Sequence, residues 1–325
     1  MINNKNLVYL MESIMRIVVV GAGCIGTIIA SRLVKAGHEV TVIARDERLA
    51  NIQAHGLRMQ THGKSRIEYQ DVTAYPRLTP DMTADFVLVT VQRHQIDALM
   101  PDLIAHPSHN IVFMFNCVTN DDQWRHPLKG RLLWAFPAAL GELKNGVVHY
   151  SVLPRSLSLL QITTIGGHAK RHASAIKLMK IFNKAKIPST FHDDMPAWLK
   201  THAALMLPVM AIGSQKLHTQ QPLTLSWLEA NTVALAMQEC FDLVNAAGSI
   251  TPLNMKLVSL MPSAIIAFSL MTAFQMHYMQ RILAGHAGHA SDEIQELYLE
   301  MKHLAKKQQV EIPSLDTLCT DLLLR

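Results

Sequence analysis

The 325-residue chain has only four cysteines, Cys24, Cys117, Cys240 and Cys319, and no two form a C-x-x-C pair. That spacing indicates neither a zinc site nor a disulfide framework, and it suits a reducing cytoplasm. Charge is also sparse. Asp, Glu, Lys and Arg make up 17% of residues, against 49% apolar ones, enough to fill two cores without cross-links. The formal charge is +5, but no run of like charges concentrates it, so nucleic acid is not indicated as a partner. A mildly basic balance suits an anionic small molecule instead. Residues 1–14 lack a basic start, a long apolar stretch and a small-residue cleavage site, so they do not describe a signal peptide. They are expected to be a short extension ahead of Met15. Long apolar runs are missing with one exception, residues 257–274, LVSLMPSAIIAFSLMTAF, 18 residues without a charge. A membrane span needs ~20 apolar residues. Pro262, Ser263, Ser269 and Thr272 dilute the run, and no aromatic belt or basic flank accompanies it. The expectation is a buried helix, with no membrane as partner.

What is present divides the chain in two. Arg16–Val20 is a short apolar run ending at Gly21, as a buried strand feeding a tight turn would be. Helical periodicity over Thr27–Ala36 stops at Gly37, and Glu39–Ala44 is again apolar and β-branched. Together these make a βαβ unit of about 30 residues. Phe86–Val91 and Ile111–Phe115 add two strands, with a crossover helix over Gln95–Leu103. Such alternation predicts a parallel α/β sheet. Leu132–Phe136, Val147–Val152 and Ser158–Ile165 are expected to extend that sheet. A helix over Ala169–Ala185 and an edge strand at Ile187–Phe191 follow. From Met195 the strand signals stop. Ala197–Ile212, Leu223–Ala247, Ala264–Ala284 and Asp292–Gln309 are predicted helices, the first with a kink at Pro208. The predicted fold is therefore a Rossmann-type α/β domain over residues 15–192 and an all-α domain over 193–325.

Gly21-Ala-Gly23-Cys24-Ile25-Gly26 lies between the first strand and the first helix. The first glycine permits the turn, the second lets backbone approach a pyrophosphate, and the third lets helix and strand pack closely. The helix N-terminus then offers free N–H groups to phosphate. This strand–turn–helix context is what gives a Gly-x-Gly-x-x-Gly pattern its weight as a dinucleotide site. The second strand ends at Arg45. An acidic residue there would hold the ribose 2′-hydroxyl of NAD, whereas arginine suits the 2′-phosphate of NADP. Arg48 could assist, and the neighbouring Asp46 leaves NAD open.

The run MRIVVVGAGCIGTIIASRLVKAGHEVTVIARDERLANIQAHGL resembles the opening of the ketopantoate reductases (2-dehydropantoate 2-reductases). The likeness covers nearly the whole chain and is densest over residues 15–60. It implies an N-terminal NADPH-binding domain, a helical C-terminal domain and reduction of a small 2-keto acid, the ketopantoate step of the pantothenate pathway. Trp198-Leu-Lys200 is similar to the family's catalytic lysine motif, and Ser291-Asp-Glu293-Ile-Gln to the stretch carrying its glutamate. The resemblance thus implies Lys200 as general acid and Glu293 as its orienter or a holder of substrate hydroxyl. Gln92 stands where the family has lysine, and Arg93 and His94 beside it are out of register. Asn116 keeps a family asparagine that could bridge cofactor and substrate, followed by Cys117 in place of glycine. Ala204 and Pro208 replace two asparagines. The substrate end is therefore thinner in polar groups, which leaves a less polar carbonyl substrate, or a non-catalytic NADP sensor, as alternatives. His286 and His289 lack a third ligand, so no metal is indicated. The apolar helices suggest a homodimer, the commonest soluble oligomer.

Overall fold

The computed structural model describes residues 14–118, 122–151, 162–249, 253–277, 279–280, 283 and 290–323. Residues 1–13 of the N-terminal extension, His286 and His289 fall outside that set. The described strands are β1 (Arg16–Val20), β2 (Glu39–Ile43), β3 (Leu57–Thr61), β4 (Ile67–Gln70), β5 (Thr73–Tyr75), β6 (Phe86–Val89), β7 (Ile111–Phe113), β8 (Leu132–Phe136), β9 (Leu140–Lys144), β10 (Val147–Ser151), β11 (Thr163–Gly166) and β12 (Ser189–His192). Eight of them form one sheet in the order β12-β11-β8-β7-β6-β1-β2-β5. From β8 to β5 every neighbour is parallel, and β11 turns antiparallel against β8. β6 and β7 are wholly buried and β1 nearly so, which explains their unbroken apolar runs. The chain leaves β1 toward β2 on one side and returns to β6 on the other. In such a sheet, that reversal opens a crevice at the carboxyl ends of the strands.

Two helices cross between the first strands: α1 (Cys24–Lys35) and α2 (Asp46–His55). They are followed by α3 (Ile96–Ala105), α4 (Asp122–Arg125) and α5 (His172–Lys184). Beneath the sheet, Phe113, Phe115, Trp124 and Trp134 form a cluster with ring centroids 5.3 to 5.9 Å apart, mostly edge to face.

The expectation that Val147–Val152 extends the main sheet is wrong. Asn145 and Gly146 both have positive φ, at 50° and 74°. They make a tight hairpin of the kind Asn-Gly favours between β9 and β10. That hairpin joins a second sheet, in the order β4-β3-β10-β9. The second sheet covers α1, where Ile28 packs with Met59, Val148 and Tyr150. Ser158–Ile165 is described only from residue 162, with its strand at Thr163–Gly166.

After β12 the described chain is helical: α6 (Met195–His218), α7 (Trp227–Ala246), α8 (Leu253–Ser259), α9 (Ser263–Gln275), α10 (Ala290–Gln308) and α11 (Pro313–Leu323). Asp194 caps α6 by accepting from Ala197 N–H at 3.0 Å. The helix then runs on through Pro208 to His218. Ser226 and Glu229 form a capping box on α7, and Glu229 pairs with Lys216 at 2.7 Å. The carboxylate of Glu239 accepts from Ser314 and Leu315 N–H at 3.0 Å, which pins the start of α11. The apolar run 257–274 is divided between two helices rather than forming one. α9 buries Ile266, Ala267, Leu270 and Phe274 but leaves Ile265 and Phe268 exposed. No described helix is long and apolar enough to cross a membrane.

Candidate active site

The turn after β1 is built from behind. Gly21 has φ +102°, and its N–H donates to Ile43 O at 3.0 Å. Its carbonyl accepts from Thr90 Oγ1 at 2.8 Å. The next carbonyl, Ala22 O, accepts from Arg48 Nε at 2.8 Å and from Thr27 Oγ1 at 3.2 Å. Both loop carbonyls are therefore occupied within the protein. Gly23 is the N-cap of α1 and has no side chain to satisfy the helix's first N–H groups. A Cβ on Gly23 would meet nothing within 4 Å, so the backbone faces open space there. A Cβ on Gly26 would collide with Gly21 O and lie 2.6 Å from Thr90 Oγ1. Uncapped N–H groups facing open space at a helix N-terminus fit a dinucleotide's pyrophosphate.

The side chains of the same turn face the core. Ile25 packs against the main-sheet core. Cys24 is turned to the second sheet, close to where a side chain on Gly141 would lie. Burial first, then the nearby Glu142, pushes its thiol pKa up to about 12, so no thiolate forms at neutral pH. Both residues can serve a cofactor through backbone only. Arg45 is exposed just past β2; its carbonyl accepts from Leu49 N–H, while its side chain makes no hydrogen bond or ion pair among the described residues. Arg48 does not share that freedom. Besides Ala22 O it donates to Thr27 Oγ1 at 2.9 Å, Gly146 O at 3.1 Å and Asn51 Oδ1 at 3.2 Å. Its guanidinium is a brace for the turn, which corrects the expectation that it could reach a ribose phosphate.

Gln92 and Asn116 follow the adjacent parallel strands β6 and β7. Gln92 caps a single helical turn over Arg93–Gln95. Asn116 is buried, and its Oδ1 has no partner among the described residues. A buried amide oxygen left unpaired is costly, so this one is open to a ligand or a water. Cys117 is buried in the core beneath the cluster of aromatic rings. Arg93 supplies no free cation in place of the missing lysine. Its guanidinium is ion-paired with Glu300 and lies 5.6 Å from the Trp124 ring centroid.

Lys200 lies in the second turn of α6. The first turn is held on the sheet, since Met195 and Leu199 join its core and the Trp198 ring lies 5.5 Å from Phe136 at the end of β8. Lys200 itself is half-buried and has no ion-pair partner among the described residues. Glu293 is half-buried in the first turn of α10. α10 packs on α6, but Lys200 and Glu293 form no ion pair. Ala204 and Pro208 are buried in the helical core. One group unforeseen from the sequence is His202. Its ring stacks on Trp198 at 4.9 Å and touches Phe136 at 4.1 Å. Burial lowers its pKa to about 4.

Comparison with known proteins agrees with this geometry. A family model described as ketopantoate reductase PanE/ApbA matches residues 17–171. That match spans just under half of the chain and takes in the glycine turn. A 2-dehydropantoate 2-reductase of Pyrococcus abyssi is 23% identical over 201 residues, 62% of this chain and 64% of that protein. A 2-dehydropantoate 2-reductase of Bacillus subtilis is 33% identical over 104 residues, 31% of this chain and 33% of that one. The chain thus matches under two thirds of the length of these relatives. Among solved structures, a PanE/ApbA family ketopantoate reductase from Ralstonia eutropha superposes with a TM-score of 0.73. It is 22% identical and covers 95% of this chain and 98% of its own. A D-mandelate dehydrogenase bound to NADH has a TM-score of 0.71 at 15% identity, covering 95% and 97%. These likenesses establish the fold of both halves.

Two outcomes follow from the site. Gly26→Ala is expected to displace the turn and weaken nucleotide binding by about tenfold or more, some 1.4 kcal/mol, as read by calorimetric titration. Unchanged affinity would refute the packing argument. His202 has a folded-state pKa below its ordinary 6.5, so the unfolded chain takes up the proton first. Its contribution to stability is complete above pH 6.5 and is lost as pH falls toward 4. Unfolding free energies should show a loss on the order of 3 kcal/mol over that window, and His202→Gln should flatten the profile.

Proposed function

We propose that this protein is a cytoplasmic, NADPH-dependent oxidoreductase that reduces a small 2-keto acid, with ketopantoate the first substrate to test. The observation that carries the reading is the glycine turn, with its carbonyls tied back and its helix N-terminus uncapped at the carboxyl ends of parallel strands. The match of residues 17–171 to the ketopantoate reductase family model supports it. In this reading residues 15–192 hold the nucleotide, and 193–325 supply the substrate side and a subunit contact.

The roles divide by position. Backbone N–H groups of Gly23, Cys24, Ile25 and Gly26 receive the pyrophosphate, and Arg45 the 2′-phosphate that separates NADPH from NADH. The exposed Asp46 beside Arg45 and the NADH named for the D-mandelate dehydrogenase structure leave NADH as the cofactor to compare. Asn116 and Gln92 line the region between nucleotide and substrate, with the unpaired Asn116 Oδ1 available to either. The bound nicotinamide supplies the hydride for the carbonyl carbon. Lys200 donates the matching proton to the carbonyl oxygen and stabilises the charge growing there. Glu293, on the helix packed against that of Lys200, orients the lysine or holds a substrate hydroxyl.

A second reading concerns substrate only. Gln92 is neutral, Arg93 is neutralised by Glu300, and Ala204 and Pro208 are apolar and buried. Few polar groups remain to recognise a hydroxylated acid, which favours a less polar 2-keto acid. A site that pairs a substrate hydroxyl discriminates by about 10⁴–10⁵-fold, and one lacking that pairing does not.

Loss of NADPH absorbance with ketopantoate and a panel of aliphatic and aromatic 2-keto acids tests both readings. Lys200→Ala should cut kcat by about 10²–10⁴-fold and leave NADPH affinity nearly intact. Full activity in that variant would remove Lys200 from the mechanism, and tight NADPH binding without turnover on any acid would leave a sensor. The exposed Leu257, Ile265 and Phe268 on α8 and α9, with Leu260 between the two helices, are assigned to a homodimer contact. Light scattering should then give twice the 36.3 kDa chain mass, and Phe268→Lys should shift it toward the monomer. A monomeric parent would refute that assignment.

A further inference from the structure

Arg93 and Glu300 are 207 positions apart in the chain but meet between the two halves of the fold. One carboxylate oxygen of Glu300 pairs with Arg93, in the turn after β6. The other accepts from Val118 N–H at 2.7 Å, in the loop after β7. Glu300 is only 6% exposed, so both contacts are shielded from water. Glu296, one turn earlier on α10, stands 3.9 Å from the same guanidinium. The Trp124 ring underlies it. A single buried carboxylate therefore grips both loops that carry the site. Arg93 adjoins Gln92, and Val118 is two residues beyond Asn116.

We infer that Glu300, acting through Arg93 and the Val118 N–H, is a positioning residue that fixes Gln92 and Asn116 relative to each other and seats the helical half on the strand ends. This rests on the reductase reading above. The physical grounds are threefold. A buried ion pair whose carboxylate is also hydrogen-bonded is geometrically specific, because losing one partner strands a charge without water. The pairing of β6 with β7 ends at Val89 and Phe113, before Gln92 and Asn116, so the ladder itself does not set the spacing of those two residues. Finally, two acidic groups one turn apart on α10, Glu296 and Glu300, face the Arg93 guanidinium. Burial and the neighbouring carboxylates raise the pKa of Glu296, while Arg93 and His94 oppose that rise. Removing Arg93 would leave that face repelling itself. Glu300 touches neither reacting atom, so its effect should appear in binding rather than in the chemical step.

The test uses the full-length protein and four variants: Glu300→Ala, Glu300→Gln, Arg93→Ala and the double variant Arg93→Ala/Glu300→Ala. NADPH dissociation constants, KM and kcat for the best keto acid, and unfolding midpoints are measured for each. Glu300→Ala is expected to raise the NADPH dissociation constant and KM by about tenfold each (1.4 kcal/mol apiece), with kcat within about threefold at saturation. Glu300→Gln keeps an acceptor for Val118 and should recover part of that loss. The double variant should lose no more than Arg93→Ala alone, because contacting residues are not additive. The inference is overturned if Glu300→Gln and any other folded variant bind and turn over within twofold of the parent. It is overturned equally if kcat alone falls. A parent that binds no nucleotide at all would instead sink the reductase reading, so the two failures are told apart.

Discussion

Two carbonyl groups, those of Gly21 and Ala22, determine what the rest of the molecule can do. A peptide group that points its oxygen backward must point its N–H forward, because the unit is planar. Thr90 holds the first oxygen and Arg48 and Thr27 the second. The strand order places Thr90 beside this turn, since β6 lies against β1 and Thr90 N–H donates to Val20 O at 2.9 Å. The main sheet thus does more than supply a core. It delivers the hydroxyl that keeps the turn aimed at a ligand.

The opposite side of the site follows a different logic. Positive charge is present in the loop after β6, but Glu300 pairs with it, and α6 buries Ala204 and Pro208 in the helical core. This part of the molecule therefore trades free charge for fixed geometry. An arginine paired inside an interface orders loops, while a free lysine would attract anions. The aromatic stack of Phe136, Trp198 and His202 belongs to the same design. It roots the start of α6 on the sheet, so that Lys200, two residues past Trp198, stands on a rigid base.

Much of this was legible in the sequence where local chemistry decides. The run before Gly21, the three glycines and the next strand predict the βαβ unit, and α1 opens at Cys24, right after the second glycine. The end of strands near residue 192 was visible because helical periodicity replaces short apolar runs there. What escaped depends on distant partners. Arg48 resembles a solvated helix residue until Ala22, Thr27 and Gly146 converge on it. Nothing near Arg93 in the chain announces Glu300. The second sheet could have been found, because Asn145-Gly146 is the strongest short hairpin signal. Reading Val147 onward as a buried strand of the main sheet overlooked that turn. The run 257–274 shows the limit of apolarity alone, which predicted burial but not the break before Ser263 or the exposed Phe268.

The Asn145-Gly146 turn also changes how the molecule tolerates alteration. Hairpin tips are ordinarily the cheapest places to lengthen a chain, since they touch little. This one presents the carbonyl of Gly146 to Arg48, and Arg48 in turn steadies the glycine turn through Ala22 O. A loop that looks peripheral on the surface is mechanically part of that turn. Added residues there would be transmitted through one guanidinium to Ala22, whereas the turn at Gly63 is held only by contacts of the second sheet, such as His62 N–H to Tyr150 O and Gln60 to Lys64 O.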